Sequence, residues 1–212
     1  MIIYGASLSP FVRKALAFAV EKGISVELQA AGMGGGPEAF KKASPFGKIP
    51  ALQDGDFLLA DSSAIVTYME AVKPDPELIP QAARARAQAV WYDEFADTVL
   101  GAAVGAIFFN RIVAPRFQKR EGDEAAAAAA ERDQLPKIFA YLEGVLPASG
   151  HLLEDRLTLA DIAVASPFVN LRHLGLLPDA GAYPALSAYV EAMHARPSFA
   201  PWIEREQGLL AR

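Results

Sequence analysis

Three prolines fall within the eight residues from Lys73 to Pro80, and this segment divides the chain into two halves of different character. Proline fixes φ and lacks an N–H donor, so neither a helix nor an inner strand tolerates three of them so close together. Short segments of alternating type precede the prolines, whereas long helical patterns follow them. The sequence of 212 residues therefore predicts an α/β domain over residues 1–73, a linker over 74–81 and an all-helical domain over 82–212.

The first half begins with a strand and a helix. Residues 2–4 read as a short buried strand, and Ser9 with Pro10 provides the N-cap and first position of a helix that runs to Lys22. The later elements are a strand over 24–28, a loop over 30–36, a short helix over 37–43, two strands over 49–52 and 57–59 joined at Asp54-Gly55, and a helix from 61 onward. The order β-α-β-α-β-β-α is typical of a thioredoxin-like sheet, although other small α/β domains share it.

The second half reads as helices over residues 82–113, 123–146, 158–173 and 184–195. Pro136 and Pro167 are predicted to kink or shorten two of them. Thr158 and Asp161 have the spacing of a capping box, which satisfies the N–H groups that a buried helix cannot expose to water. Both residues are therefore assigned a structural role, as a cap whose loss costs about 1 kcal/mol.

Composition excludes several classes of function. The chain has no cysteine, so it can form no disulfide, no thiolate metal site and no protein-thiol nucleophile. A net charge of −5 provides no general attraction for nucleic acid, and the three histidines lack the i, i+4 spacing of a helical metal site. The longest apolar run, over 99–109, is shorter than the roughly 18 residues that span a membrane, and the N-terminus lacks a signal-peptide pattern. We expect a cytoplasmic protein without a metal, a membrane or a nucleic-acid partner.

Five sequence fragments occur in a fixed order along the chain. They are Ser9-Pro10-Phe11-Val12-Arg13-Lys14, Ser44-Pro45-Phe46-Gly47-Lys48-Ile49-Pro50-Ala51-Leu52, Asp61-Ser62-Ser63-Ala64-Ile65, Leu157-Thr158-Leu159-Ala160-Asp161-Ile162-Ala163, and Tyr183-Pro184-Ala185-Leu186 with Arg196-Pro197-Ser198-Phe199. Through them the whole chain resembles the cytosolic glutathione S-transferase family in its serine-type, bacterial-like form. The resemblance implies a thioredoxin-like domain followed by a helical bundle domain, glutathione as co-substrate and a homodimer.

Ser9 matches the family's position for the residue that holds the glutathione sulfur. A free thiol has a pKa of about 8.5, and a hydroxyl that donates to the sulfur favours the thiolate, as does the positive end of a helix. Two alternatives stay open. Ser9 acts as an N-cap only, or Ser7 is the sulfur ligand.

The resemblance also assigns the rest of the glutathione site. It implies a cis peptide bond between Ile49 and Pro50, with the Ile49 backbone paired to the cysteinyl group, and it gives the γ-glutamyl end to Asp61 and Ser62. The family more often has Glu in place of Asp61, so the reach differs by one methylene. Lys48 is assigned to the glycyl carboxylate. The alternatives are a trans proline at Pro50, a helix cap at 61–62 and a solvated surface lysine at Lys48.

The predicted function is activation of the glutathione thiol for attack on a small hydrophobic electrophile. Candidate walls of the electrophile pocket are Phe11, Tyr92, Phe95, Phe108 and Phe109, all of which have the alternative of being core residues. Arg13 and Lys14 are assigned to the helix surface or to contacts between domains. Two other functions stay open, a glutathione-dependent disulfide or peroxide reductase and a non-catalytic glutathione-binding scaffold of the same fold.

Overall fold

The computed structural model describes residues 1–32 and 35–211. Part of the loop predicted at 30–36 and the last residue of the predicted helical domain lie outside the described residues. The chain forms two compact units, the first made of Met1–Arg86 with the segment from Ala195 onward, and the second of Ala87–His194. The domain limits drawn from the sequence stay a prediction, and these units differ from them chiefly in keeping the C-terminal segment with the first unit.

The first unit contains a four-stranded mixed sheet. Its strands are β1 Ile2–Gly5, β2 Glu27–Ala30, β3 Ala51–Asp54 and β4 Phe57–Ala60, and its order is β2-β1-β3-β4. β1 is parallel to β2, whereas β3 is antiparallel to both β1 and β4. The helices that precede the linker are α1 Pro10–Glu21, α2 Glu38–Ala43 and α3 Ser62–Val72. This arrangement confirms the thioredoxin-like fold.

Two turns follow the glycines that the sequence singles out. Gly23 has a φ of 61° and ends α1 in the left-handed conformation, as predicted. In the hairpin Asp54 pairs with Phe57, so the two-residue turn is Gly55-Asp56, one residue later than the dipeptide predicted for it. Gly55 supplies the positive φ of that turn, also 61°.

The second unit is helical. Its elements are α4 Ala83–Phe117, which begins four residues before the unit, α5 Glu124–Asp133, α6 Leu135–Val145, α7 Leu159–Leu174 and α8 Pro184–His194. The helix predicted over 123–146 is thus two helices, because the chain breaks at Gln134 and Pro136 lies in the first turn of α6. Pro167 lies within α7 and does not shorten it, and the alternative of a kink at this residue stays a prediction.

Helix α4 extends past the predicted end at residue 113. It is α-helical over Ala83–Glu94 and Gly101–Phe108, and π-helical over Phe95–Leu100 and Phe109–Phe117. A π-helical turn does not follow the 3.6-residue period, which is why the sequence pattern ends too early. By length and composition α4 could cross a membrane, but a core helix of a soluble protein meets the same test.

A last helix, α9 Ala200–Leu210, belongs to the first unit and was absent from the sequence prediction. It begins after Phe199 with Pro201 in its first turn. The only residues it buries are Ile203 and Glu206, so it has no apolar stripe from which a helix would be predicted.

The capping box of α7 is confirmed. The Thr158 backbone N–H donates to Asp161 Oδ2 over 2.9 Å, and the Leu152 N–H donates to Oδ1 over 2.8 Å. Burial raises the pKa of Asp161, and these backbone hydrogen bonds oppose that rise. One buried carboxylate thus accepts from two backbone N–H groups beside the start of α7, and the Thr158 side chain accepts from the N–H of Asp161.

Candidate functional site

Three segments of the first unit leave the sheet at the same edge. Tyr4 near the end of β1 pairs with Ala51 at the start of β3, and Ala51 pairs with Ala60 at the end of β4. The residues that follow Tyr4, precede Ala51 and follow Ala60 therefore lie side by side. The sheet register brings together the loop before α1, the Ile49-Pro50 peptide and the start of α3.

The end of β1 is packed closely against two of these segments. A Cβ atom on Gly5 would lie 2.5 Å from Cγ2 of Val12 in α1 and 3.5 Å from Cβ of Ile49. Real Cβ atoms do not approach other atoms as closely as the first of these distances, so a side chain at this position would force the Val12 side chain to shift. Glycine at this position seats the first turn of α1 beside Ile49.

Ser9 is the N-cap of α1, as predicted. Its backbone is extended, with φ −76° and ψ 125°, and its Oγ accepts a hydrogen bond from the Val12 N–H over 3.4 Å. The backbone N–H of Ser9 donates to the Ala6 carbonyl over 3.0 Å, which fixes the loop before the helix. Ser9 is half-buried, whereas Ser7 is buried. The capping interaction uses the hydroxyl oxygen as an acceptor and leaves its hydrogen as a donor, so the role at sulfur stays a prediction.

The Ile49-Pro50 peptide bond is cis, as predicted. Pro50 is buried, Ile49 is half-buried and Lys48 is exposed. The sequence prediction missed the part played by Ser44, whose buried hydroxyl donates to the Lys48 carbonyl over 2.7 Å. This bond closes the loop between α2 and β3 and so holds the main chain that leads into Ile49. Both the assignment of Lys48 to a carboxylate and its alternative as a surface residue stay predictions.

Asp61 caps α3 with a left-handed backbone. Its φ is 79°, and its Oδ1 accepts hydrogen bonds from the Ser63 N–H over 2.9 Å and the Ala64 N–H over 3.2 Å. A positive φ at a residue other than glycine is disfavoured, and such backbone strain is concentrated at functional sites. Ser62, the next residue, is buried at the start of the helix. The capping role of Asp61 is observed, and its role toward a ligand stays a prediction.

Two cations on α1 are buried, so the helix surface, one of the two places predicted for them, was wrong. The other prediction was a contact between domains, and Arg13 does pair with a residue of the segment that the sequence assigns to the helical domain. Lys14 Nζ donates to Ser63 Oγ over 3.2 Å, which ties α1 to the start of α3. Arg13 forms an ion pair of 2.7 Å with Glu206 of α9. Charged residues on a helix are usually solvated, so no sequence pattern indicates that either of these two is buried.

The aromatic candidates for the electrophile pocket lie in different units. Phe11 is half-buried in the first unit, and three others are buried in the second, namely Tyr92, Phe95 and Phe108. Phe95 packs against Tyr141 with ring centroids 5.3 Å apart. Burial, together with the neighbouring Tyr141, raises the pKa of Tyr92 to about 12, so its hydroxyl is protonated at neutral pH. Their assignment to a pocket stays a prediction.

Comparison with known proteins decides the family. Residues 3–77 match the family model described as glutathione S-transferase, N-terminal domain, and residues 108–206 match the model described as glutathione S-transferase, C-terminal domain. The chain belongs to the glutathione S-transferase family. The two matches include every segment of the candidate site at the sheet edge.

Individual members of the family agree with this result. Glutathione S-transferase 4 of Zea mays is 32% identical, over 99% of this chain and 87% of the relative. The crystal structure of a glutathione S-transferase from Rhodospirillum rubrum F11 superposes with a TM-score of 0.86 at 24% identity, covering 95% of this chain and 90% of that one, which establishes the fold. The theta class enzyme of Xanthomonas axonopodis pv. citri, solved with glutathione bound, has a TM-score of 0.80 at 27% identity, covering 95% of this chain and 96% of that one.

Among the described residues, no group of three or more His, Asp or Glu side chains is arranged to hold a metal ion. The candidate site of this glutathione S-transferase consists of the start of α1, the backbone around the Ile49-Pro50 peptide and the start of α3. Its groups are hydrogen-bond donors and acceptors, together with one exposed cation. Such a site fits an amino-acid-like ligand that carries both charges.

Proposed function

We propose that this glutathione S-transferase binds glutathione at the sheet edge of its first unit and activates the thiol as a thiolate. The observation that carries the proposal is the position of Ser9, at the N-terminus of α1 and in the segment that leaves the sheet beside the strand that follows the Ile49-Pro50 peptide. The thiolate attacks a small hydrophobic electrophile: a sulfur–carbon bond forms, and the displaced electron pair goes to a leaving group or takes a proton from water. Proximity and thiolate formation supply the rate enhancement.

The energetic demand on Ser9 is modest. Lowering the thiol pKa by about 2 units requires a preference for the thiolate of about 2.7 kcal/mol. A hydrogen bond to a charged group contributes about 1.5–3 kcal/mol, and a helix N-terminus about 0.3–1 kcal/mol. The Ser9 hydroxyl and the first turn of α1 therefore meet the demand without a charged side chain at the sulfur.

The other contacts follow the chemistry of the tripeptide. The Ile49 backbone pairs with the cysteinyl group, and Lys48 lies at the glycyl carboxylate. Asp61 binds the γ-glutamyl amino group through its carboxylate while Oδ1 continues to accept from Ser63 and Ala64, and the Ser62 hydroxyl binds the γ-glutamyl carboxylate. Phe11, which is half-buried in this unit, forms one wall for the electrophile.

We also propose that the protein works in the cytoplasm as a soluble homodimer. Phe46, in the loop that Ser44 closes, is 91% exposed, and Phe57 on β4 is 43% exposed and packs at a tilt against Tyr68 of α3 with centroids 4.8 Å apart. Large apolar side chains exposed at a surface favour an interface. A second copy of the chain is the occupant that the family resemblance supplies.

A panel of substrates in the presence of glutathione tests the proposal against its two alternatives. Conjugation of glutathione to an activated aryl halide or an unsaturated carbonyl compound is the expected result. Oxidation of glutathione to its disulfide by a peroxide or a mixed disulfide, which is itself reduced, without conjugation, would make the protein a reductase. Binding of glutathione without turnover of any of them would make it a scaffold.

A further inference from the structure

The C-terminal helix α9 is tied to α1 by a fully buried ion pair. Arg13 Nη2 lies 2.7 Å from Glu206 Oε2, and both side chains have no solvent exposure. The two residues are 193 positions apart in the chain, yet they belong to one compact unit. A pair this deep is desolvated, so each charge depends on the other.

Arg13 is also linked directly to the backbone of Ser9. Its N–H donates to the Ser9 carbonyl over 2.9 Å, which is the first hydrogen bond of α1. The next bond of the same turn joins the Val12 N–H to Ser9 Oγ. The helical turn that ends at Arg13 therefore begins at Ser9, and a shift of Arg13 shifts the serine.

We propose that Glu206 is a positioning residue for Ser9. Through Arg13 it holds the first turn of α1 at the depth where the Ser9 hydroxyl reaches the glutathione sulfur. This inference rests on the proposed function. Without the Glu206 charge, Arg13 loses this buried ion pair, and α1 moves outward so that the guanidinium gains water. Ser9 moves with it and loses its hydrogen bond to the sulfur.

The chain contains a matched control at the other end of the same helix. Arg196 Nε and Nη2 donate to Glu21, the last residue of α1, over 2.8 and 2.9 Å, and Ser198 Oγ donates to Glu21 over 2.6 Å. The C-terminal segment thus holds α1 at both ends, but only the Glu206 contact lies in the turn of Ser9. Loss of the Glu21 contact loosens the same two segments far from the sulfur.

The test is a titration of the ultraviolet absorbance of glutathione thiolate bound to the parent protein, Glu206→Gln and Glu21→Gln. Glu206→Gln is expected to raise the apparent thiolate pKa by about one pH unit and to lower turnover at pH 7 about tenfold. The glutathione dissociation constant should change less than about threefold, since most ligand contacts lie elsewhere. Glu21→Gln is expected to titrate like the parent.

Glu206→Asp keeps the inference testable if Glu206→Gln does not fold. Aspartate retains the charge, but its side chain is shorter by one methylene and therefore draws Arg13 toward α9. We expect the thiolate pKa of the folded Glu206→Asp protein to rise by less than that of Glu206→Gln. Parental titration of every folded Glu206 variant, or an equal rise in Glu21→Gln, would overturn the positioning role. If the parent itself forms no thiolate at neutral pH, the proposed function fails. If the parent forms it and Ser9→Ala loses it while folded Glu206 variants do not, only the present inference fails.

Discussion

Asp61 performs two tasks at one position, because it caps α3 and stands where a ligand's amino group is proposed to bind. Its Oδ1 is engaged by the N–H groups of Ser63 and Ala64, so the cap needs an oxygen acceptor but not a charge. Its φ of 79° also restricts the residue, and asparagine is among the few that accept this conformation. The two tasks can therefore be separated by a substitution that removes the charge alone.

Asp61→Asn is predicted to weaken glutathione binding about tenfold while changing the free energy of unfolding by less than about 0.5 kcal/mol. Isothermal titration calorimetry and urea denaturation measure the two quantities. Asp123→Asn is the control, because Asp123 caps α5 in the same way, through a 2.9 Å bond from the Ala126 N–H, and lies outside the site. An unchanged dissociation constant in Asp61→Asn would leave Asp61 with the cap as its only role.

Glu21 carries a dependence of stability on pH. Burial raises its pKa, but hydrogen bonds from Arg196 and Ser198 and the Arg196 charge outweigh burial and lower the pKa overall, from a usual 4.5. Because the folded-state pKa is depressed, ionised Glu21 stabilises the fold above the unfolded pKa. That contribution is lost as the pH falls through the folded-state value.

Glu21→Gln is therefore predicted to be less stable than the parent at pH 7 and to approach the parent's stability at pH 3. The difference at pH 7 should be about 1 kcal/mol, since the Arg196 side chain is partly exposed and the pair is screened by solvent. Urea denaturation at several pH values measures it. A difference that stays constant down to pH 3 would show that the Glu21 charge contributes nothing.

Helix starts provide a comparison at the scale of elements. The start of α7 is buried, with Asp161 accepting from two backbone N–H groups that cannot reach water, whereas Asp123 caps α5 at an exposed position. Removal of an acceptor inside the protein leaves the donors unsatisfied, and removal at the surface lets water replace it. The same chemical change should thus have different consequences at the two helices.

Asp161→Ala is predicted to lower the free energy of unfolding by about 2–4 kcal/mol, and Asp123→Ala by about 1 kcal/mol. Thermal or urea denaturation of both variants beside the parent provides the measurement. Equal losses would mean that the burial of the α7 cap has no energetic weight.

The elements differ in how far the sequence predicts them. Strands, hairpin and α1–α3 follow from alternation, glycines and caps, because each leaves a local signal. Helix α9 leaves none, since it is held by the Arg13 pair and by Ile203 rather than by an apolar face. The π-helical end of α4 departs from the period that a sequence pattern can detect.

The residues of the candidate site also differ in how far the sequence predicts them. Ser9, Pro50 and Asp61 stand in fragments that carry the family resemblance, and the sheet register explains why they meet. The buried state of Lys14 depends on a contact with Ser63, 49 residues away in the chain. Ser44 closes the loop through a side-chain hydrogen bond to Lys48 that leaves no periodic pattern in the sequence. No sequence period encodes such contacts, so they come only from the structure.

For the whole molecule, we predict that the protein is a homodimer. Analytical ultracentrifugation at micromolar concentration should give a species of twice the chain mass of 22.7 kDa. Phe46→Ser should shift the population toward the monomer, because it removes an exposed aromatic side chain that a second copy is proposed to cover. The control is Leu209→Ser, which changes an exposed apolar residue of α9 and should leave the dimer unchanged. A parent protein that sediments as a monomer would show that the chain does not form the proposed dimer.

We propose that the Ser9 hydroxyl, acting from the N-terminus of α1, holds glutathione as a thiolate. Ser9→Ala removes the donor and keeps the helix terminus, so the thiolate pKa of bound glutathione should rise by about 1–2 pH units, and turnover at pH 7 should fall about tenfold or more. Ser9→Thr retains a hydroxyl and should stay close to the parent.

The decisive measurement is the titration of thiolate absorbance for glutathione bound to Ser9→Ala and to Ser7→Ala. We predict that the thiol pKa of bound glutathione is raised in Ser9→Ala and unchanged in Ser7→Ala. An unchanged titration in Ser9→Ala with a raised one in Ser7→Ala would assign the sulfur to the buried serine. Unchanged titrations in both would contradict activation by either hydroxyl.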